Sequence, residues 1–211
     1  MKENNPLHIT QCRKVVVCLA AAALFCVLSA SPLPAQFAVR PVNLAYLSQR
    51  ADFIVQGQIT SVRHTPLPGY PNVPTVEVTL SVDRALRGLP GKTYTFREVY
   101  VGIRSAEGKQ AYRVGQRLFL FLPSPSQYGL SSPIGIGQGR FHIASDPAGN
   151  ARLANEHGNA GLFRNVERDA IKGGKQLTSE QRRLAAKARG PVPLEDFVSL
   201  VKSLTTLPRI R

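Results

Sequence analysis

The stretch Gly115-Gln116-Arg117-Leu118-Phe119-Leu120-Phe121-Leu122-Pro123 constrains the fold more than any other part of this chain. Large apolar residues run without a break from Leu118 to Leu122, between a polar lead-in and a proline. That length suits a strand and falls short of the roughly 10–12 residues that a buried helix needs. Strand side chains alternate, so Leu118, Leu120 and Leu122 point one way and Phe119 and Phe121 the other. Both faces are apolar. Such a strand needs cover on two sides, which predicts a filled inner face and a separate outer layer.

Other segments supply its neighbours. Phe53, Val55, Gly57 and Ile59 alternate with Gln56, Gln58 and Thr60, and Gly57 marks a bulge or a sharp bend. Residues 64–74, punctuated by four prolines, read as a loop. Val76, Val78, Leu80 and Val82 then face inward against Glu77, Thr79, Ser81 and Asp83. Residues 93–99 form a strand with Tyr94 and Phe96 opposite Thr95 and Arg97. After the central strand, Phe141 and Ile143 alternate with Arg140 and His142, and Arg152 to Asn155 return as a short strand.

Short strands at even spacing, broken by Gly and Pro, favour a sandwich or small barrel over βαβ units. The predicted fold is mainly β: a small, partly open, OB-like barrel of five to six strands. A short N-terminal helix opens at Asn43, a good N-cap. Two C-terminal helices pack outside. Thr178 with Gln181 makes a capping box for the first, and Pro193 suits the first helical position of the second. Leu194, Phe197, Val198, Val201 and Leu204 form one apolar stripe, expected to cover the outer face of the central strand.

The N-terminus reads as a leader. Lys2, Arg13 and Lys14 precede an uncharged apolar run from Val15 to Ala30, followed by Ser31-Pro32-Leu33-Pro34-Ala35. This is the pattern of a secretory signal peptide, so the expected location is secreted or periplasmic. An N-terminal membrane anchor is the alternative, although the run is shorter than the roughly 20 residues that span a bilayer. The expected organisation is a signal peptide over 1–35, a β-barrel domain over 36–155, a flexible connection over 156–177, and helices packed on the barrel over 178–211. Cys12, Cys18 and Cys26 all lie in the leader, so a processed chain has neither a disulfide nor a thiol nucleophile. It still has length enough to bury roughly 70% of its unfolded surface without staples.

The chain carries a formal charge of +14. Residues 1–35 account for three of the 27 basic and one of the 13 acidic residues, which leaves +12 for the remainder. Anionic glycan, a membrane surface or an acidic protein are the expected partner classes. Export disfavours nucleic acid.

Ala51 to Gly57, Val76 to Val82 with Leu86-Arg87-Gly88, Gly115 to Leu122, and Gly137 to Phe141 together resemble uncharacterised secreted bacterial single-domain β-barrel proteins. The order is also similar to the OB-type barrel of netrin-like domains, the fold of tissue metalloproteinase inhibitors. The resemblance implies a barrel and export. It carries over no functional residue, because the inhibitory cysteine of those proteins has no counterpart after the leader.

No catalytic motif stands out. Gly135-Ile136-Gly137-Gln138-Gly139 resembles a phosphate-binding loop, but a strand pattern follows where such a loop needs a helix start. His64, His142 and His157 show no metal-ligand spacing, and there is no G-x-S-x-G elbow. No cofactor or metal is expected. OB-type barrels bind ligands on a sheet face bearing aromatic and basic side chains. Tyr94, Arg97, Tyr100, Arg104, Tyr112 and Arg117 are therefore the candidate ligand-binding residues. The expected function is an exported, non-enzymatic binding module; the alternatives are a cell-envelope hydrolase and a structural envelope protein.

Overall fold

A computed structural model describes residues 40–88, 91–99 and 112–209. The chain runs α1 (Leu44–Arg50), β1 (Phe53–Leu67), β2 (Tyr70–Arg87), β3 (Thr93–Val99), β4 (Arg117–Leu122), β5 (Arg140–Ser145), β6 (Ala151–Asn155), α2 (Val166–Lys172), α3 (Ser179–Ala185), β7 (Val192–Pro193) and α4 (Leu194–Leu204). The strands form one open antiparallel sheet in the order β3-β2-β1-β4-β5-β6-β7.

The protein is mainly β, and its sheet is open. It differs from an OB-like barrel of five to six strands in two respects. The sheet has seven strands, and β7, two residues long, has no period for a sequence reading to detect. Among the described residues no ladder closes the sheet, because β6 takes the edge of β5 that a closing strand would need.

The central strand is β4. Leu118, Leu120 and Leu122 join Val55, Ile59, Val78, Leu80 and Phe96 in an inner core. Phe119 and Phe121 join the helices in an outer core with Phe141, Leu153, Phe197 and Val201. All five β4 residues from Leu118 to Leu122 are fully buried. The alternation of one strand therefore feeds two separate hydrophobic clusters, each removing apolar surface from water.

Specific bonds position the helical layer. Asn43 caps α1 by accepting from Tyr46 N at 2.8 Å. Its amide also donates to Arg164 O at 2.9 Å and Asp169 Oδ2 at 2.7 Å, tying α1 to α2. Thr178 and Gln181 form the expected capping box on α3. The buried Gln181 amide also reaches Ser199 and Ser203 on α4. At the end of β2, Arg87 donates to Ser48 O of α1, to O of its C-cap Ala51, and to O of Thr205, the C-cap of α4. One guanidinium thus serves the carbonyl-rich C-terminal ends of two helices.

Three segments depart from the sequence reading. Residues 64–74 extend a hairpin: β1 runs to Leu67, β2 starts at Tyr70, and Pro68-Gly69 forms the turn with Gly69 at φ 81°. Prolines fit there because β4 pairs with β1 only from Phe53 to Gln58, and β3 with β2 only from Thr75 to Ser81. Pro66 and Pro74 thus lie opposite each other on a ribbon that pairs with no third strand among the described residues. Residues 156–177, read as a flexible connection, contain α2 and bury Leu162, Phe163, Val166 and Ala170. Pro193 is the N-cap of α4 rather than its first helical residue, since Val192 and Pro193 are occupied in pairing with β6.

Candidate functional site

The predicted ligand-binding residues fall on opposite faces of the sheet. Tyr94 and Tyr112 belong to the inner core. The Tyr94 ring packs against Phe53 at 5.2 Å, and Tyr112 meets Phe96 edge-on at 5.6 Å. Arg97 points to the outer face and pairs with Glu77, which also pairs with Arg63. Arg117 lies 3.8 Å from Asp83, 45% exposed. Tyr100 and Arg104 lie outside the described residues. Tyr112 is therefore buried and Tyr94 half-buried in packing, and among the described candidates Arg97 is half-buried and Arg117 exposed.

Tyr112 is instead part of a buried polar cluster. Arg140 of β5, 6% exposed, stacks over its ring at 4.6 Å and pairs with Glu156. The Tyr112 hydroxyl donates to Glu98 Oε2 of β3 at 3.2 Å. Burial raises the Glu98 carboxyl above the usual range, against the pull of Arg140 and of the tyrosine. Burial likewise raises the Tyr112 hydroxyl. These side chains bridge β3 to β5 where backbone pairing does not.

Next to Arg140, His142 opens onto a groove of about 370 Å³ lined by Ala144, Ser145, Asp146, Arg152, Ala154 and Pro191. Burial, and then the charge of Arg140, lowers the His142 pKa. A histidine, a serine and an aspartate thus share one groove. Hydrolysis would require the nucleophile to contact its base and the base to contact its orienting acid. No hydrogen bond joins His142 to Ser145 or Asp146 among the described residues. The Asp146 carboxylate instead holds its own turn, accepting from Ala148 N at 3.0 Å and Asn150 N at 2.9 Å.

The third site lies at the end of the β1–β2 ribbon. Tyr70, just after the hairpin turn, meets Tyr128 of the β4–β5 connection edge-on, with ring centroids 5.7 Å apart. Tyr70 is 47% and Tyr128 50% exposed. Their supports are local. Ser126 Oγ accepts from Tyr128 N and Leu130 N, and Ser126 N donates to Leu130 O. Ser131 N then donates to Arg97 O at 2.7 Å, fixing this connection to β3. Along the ribbon, His64, Thr65, Pro66, Pro71, Asn72, Pro74 and Thr75 line a depression of about 320 Å³.

Immediately below, the register sets Arg63 opposite Glu77 and Glu77 opposite Arg97. This row carries two guanidinium groups for one carboxylate, a local excess of one positive charge. The Arg97 and Arg63 hydrogen bonds hold Glu77 below the usual carboxylate range. Of the sequence candidates among the described residues, only Arg97 belongs to this neighbourhood. Tyr70, Tyr128 and Arg63 were not legible as a site, because the tyrosines are 58 positions apart in breaker-rich segments with no local period.

The glycine-rich run 135–139 leads into β5 and not into a helix. Gly135, Ile136 and Gly137 have φ of 73°, 54° and 84°. Gly139 is confined, since a Cβ there would lie 3.1 Å from both Ile134 O and Phe121 O. Its glycines serve the turn. No cluster of His, Cys, Asp or Glu that could hold a metal ion occurs among the described residues. Nor is any helix among them long and apolar enough to cross a membrane. No family model, curated protein or solved structure matches this chain.

Proposed function

We propose that this chain is an exported, non-enzymatic binding module, built on an OB-like core, that takes an acidic glycan of the cell envelope at the ribbon tip. The observation that carries the reading is the exposed Tyr70–Tyr128 pair, assembled from the start of β2 and the β4–β5 connection. Exposed aromatic rings held by local hydrogen bonds offer flat apolar area to a sugar ring at little entropic cost. The depression behind them supplies polar groups from Thr65 and Asn72. The Arg63–Glu77–Arg97 row adds positive charge for carboxylate or sulfate substituents.

The OB-like element of the proposal rests on the order β3-β2-β1-β4-β5, with β3 and β5 bridged by Glu98, Tyr112 and Arg140. In OB-type barrels the connections between the first two and the last two strands take part in oligosaccharide binding. Tyr70 opens β2 directly after the first of these connections, and Tyr128 lies on the second. Export rests on the composition of residues 1–35. Equilibrium binding to acidic and neutral oligosaccharides, with Tyr70→Ala and Tyr128→Ala as comparisons, tests the reading.

A further inference from the structure

The basic residues are not spread evenly over the chain. Residues 164–189 hold eight of them against three acids, on elements remote in sequence from the ribbon. Among the described residues, only Arg168 of these eight pairs with a carboxylate, at 3.6 Å from Asp169.

Helical geometry turns most of these basic residues outward, where the exposed Glu167 and Glu180 accompany them. In α2, Val166 and Ala170 are buried, and Arg168, Ile171 and Lys172 occupy the opposite side, all exposed. In α3, Gln181 and Leu184 are buried, and Arg182 and Arg183 are exposed, with Lys187 exposed just beyond. The two helices contact each other in the layer that covers the outer core, so their outward sides form one surface. On α2 Ile171, 59% exposed, has Arg168 at i−3 and Lys172 next to it, with the exposed Glu167 at i−4.

We infer that the outward surface of α2 and α3 docks on an anionic lipid bilayer. Charge complementarity selects this occupant. Each lysine or arginine near an anionic leaflet adds attraction that salt screens. An exposed branched apolar side chain with Arg168 and Lys172 beside it suits the boundary between headgroups and acyl chains. A soluble polyanion would use the same cations and gain nothing from Ile171. The inference is independent of the glycan reading, because the ribbon tip contributes no residue to this surface.

Co-sedimentation of the full chain tests it, with vesicles of phosphatidylglycerol and phosphatidylcholine in equal parts, and of phosphatidylcholine alone, at low and high salt. The apolar stretch 15–30 is common to all variants, so differences between them report on the helical surface. Arg168→Glu with Lys172→Glu is expected to weaken binding to the anionic vesicles about tenfold. Arg168→Gln with Lys172→Gln should give a smaller loss, and it keeps the test intact if charge reversal disturbs α2. Ile171→Asn should weaken vesicle binding while leaving binding to dextran sulfate unchanged. Wild-type affinity in the doubly substituted variants would overturn the inference. So would an Ile171→Asn variant that binds vesicles and dextran sulfate as the parent does.

Discussion

Phe197 of α4 stands edge-on to Phe119 of β4, with ring centroids 5.3 Å apart and planes at 90°. Phe141 of β5 packs against the same ring at 5.1 Å. Phe197 therefore joins the helical layer to two adjacent strands, and all three rings are fully buried. Aromatic pairs favour such edge-to-face geometry over face-to-face stacking.

Removing this ring should be among the most damaging single changes in the protein. Phe197→Ala is expected to lower stability by about 3–5 kcal/mol, and Phe197→Leu by less, because a smaller cavity remains. Denaturant unfolding of both variants checks this. A loss of under about 1 kcal/mol for Phe197→Ala would mean that the layers do not depend on the contact.

Gly57 lies at a register shift between β1 and β2, where a Cβ would sit 2.2 Å from Ser81 O. Backbone cannot yield as a flexible side chain can. Gly57→Ala is expected to cost about 1–3 kcal/mol. Gly91 meets no atom within 4 Å of such a Cβ, so Gly91→Ala should be close to neutral. Thermal midpoints of the two variants side by side separate close approach from a general effect of losing glycine.

Ile136 is 73% exposed and held at φ 54°, a region that a β-branched residue enters at a cost. Ile136→Gly is expected to raise stability by about 1 kcal/mol, since that backbone conformation costs an L-residue roughly that much. An unchanged or lowered denaturation midpoint would show that the isoleucine makes a compensating contact.

Glu98 and Glu77 should shift stability with pH in opposite senses. Burial raises Glu98 above its ordinary value of 4.5, so the folded state holds its proton more firmly than the unfolded state does. That contribution is complete below 4.5 and is lost as pH rises through the folded value. Arg97 and Arg63 hold Glu77 below 4.5, so its contribution is present above that value and is lost as pH falls through the folded one. Glu98→Gln should remove the decline on the alkaline side, and Glu77→Gln the decline on the acid side. Unfolding midpoints measured across the acidic range distinguish them.

Much of the architecture is legible in particular residues. Double-sided apolarity from Leu118 to Leu122 anticipates the two cores, and the stripe through Phe197 and Val201 anticipates the outer cover. Asn43, and Thr178 with Gln181, mark helix starts because capping is local chemistry. The start of α2 carries no such mark: Asn165 has φ 60° and makes no side-chain cap bond. The prolines of 64–74 signal a loop locally, yet a two-stranded ribbon tolerates them.

The candidate site was less legible than the fold. Tyr94 and Arg97 differ in strand parity, so they cannot share a sheet face. Tyr70 and Tyr128 come together only through the curl of the chain.

The most direct test of the central claim is calorimetric titration of the full chain with a polyuronate oligosaccharide, repeated with Tyr70→Ala and Tyr128→Ala. The account predicts salt-sensitive binding by the parent chain, and about tenfold weaker binding for either variant at unchanged folding stability. Absence of binding by the parent, or parental affinity in both variants, would contradict it.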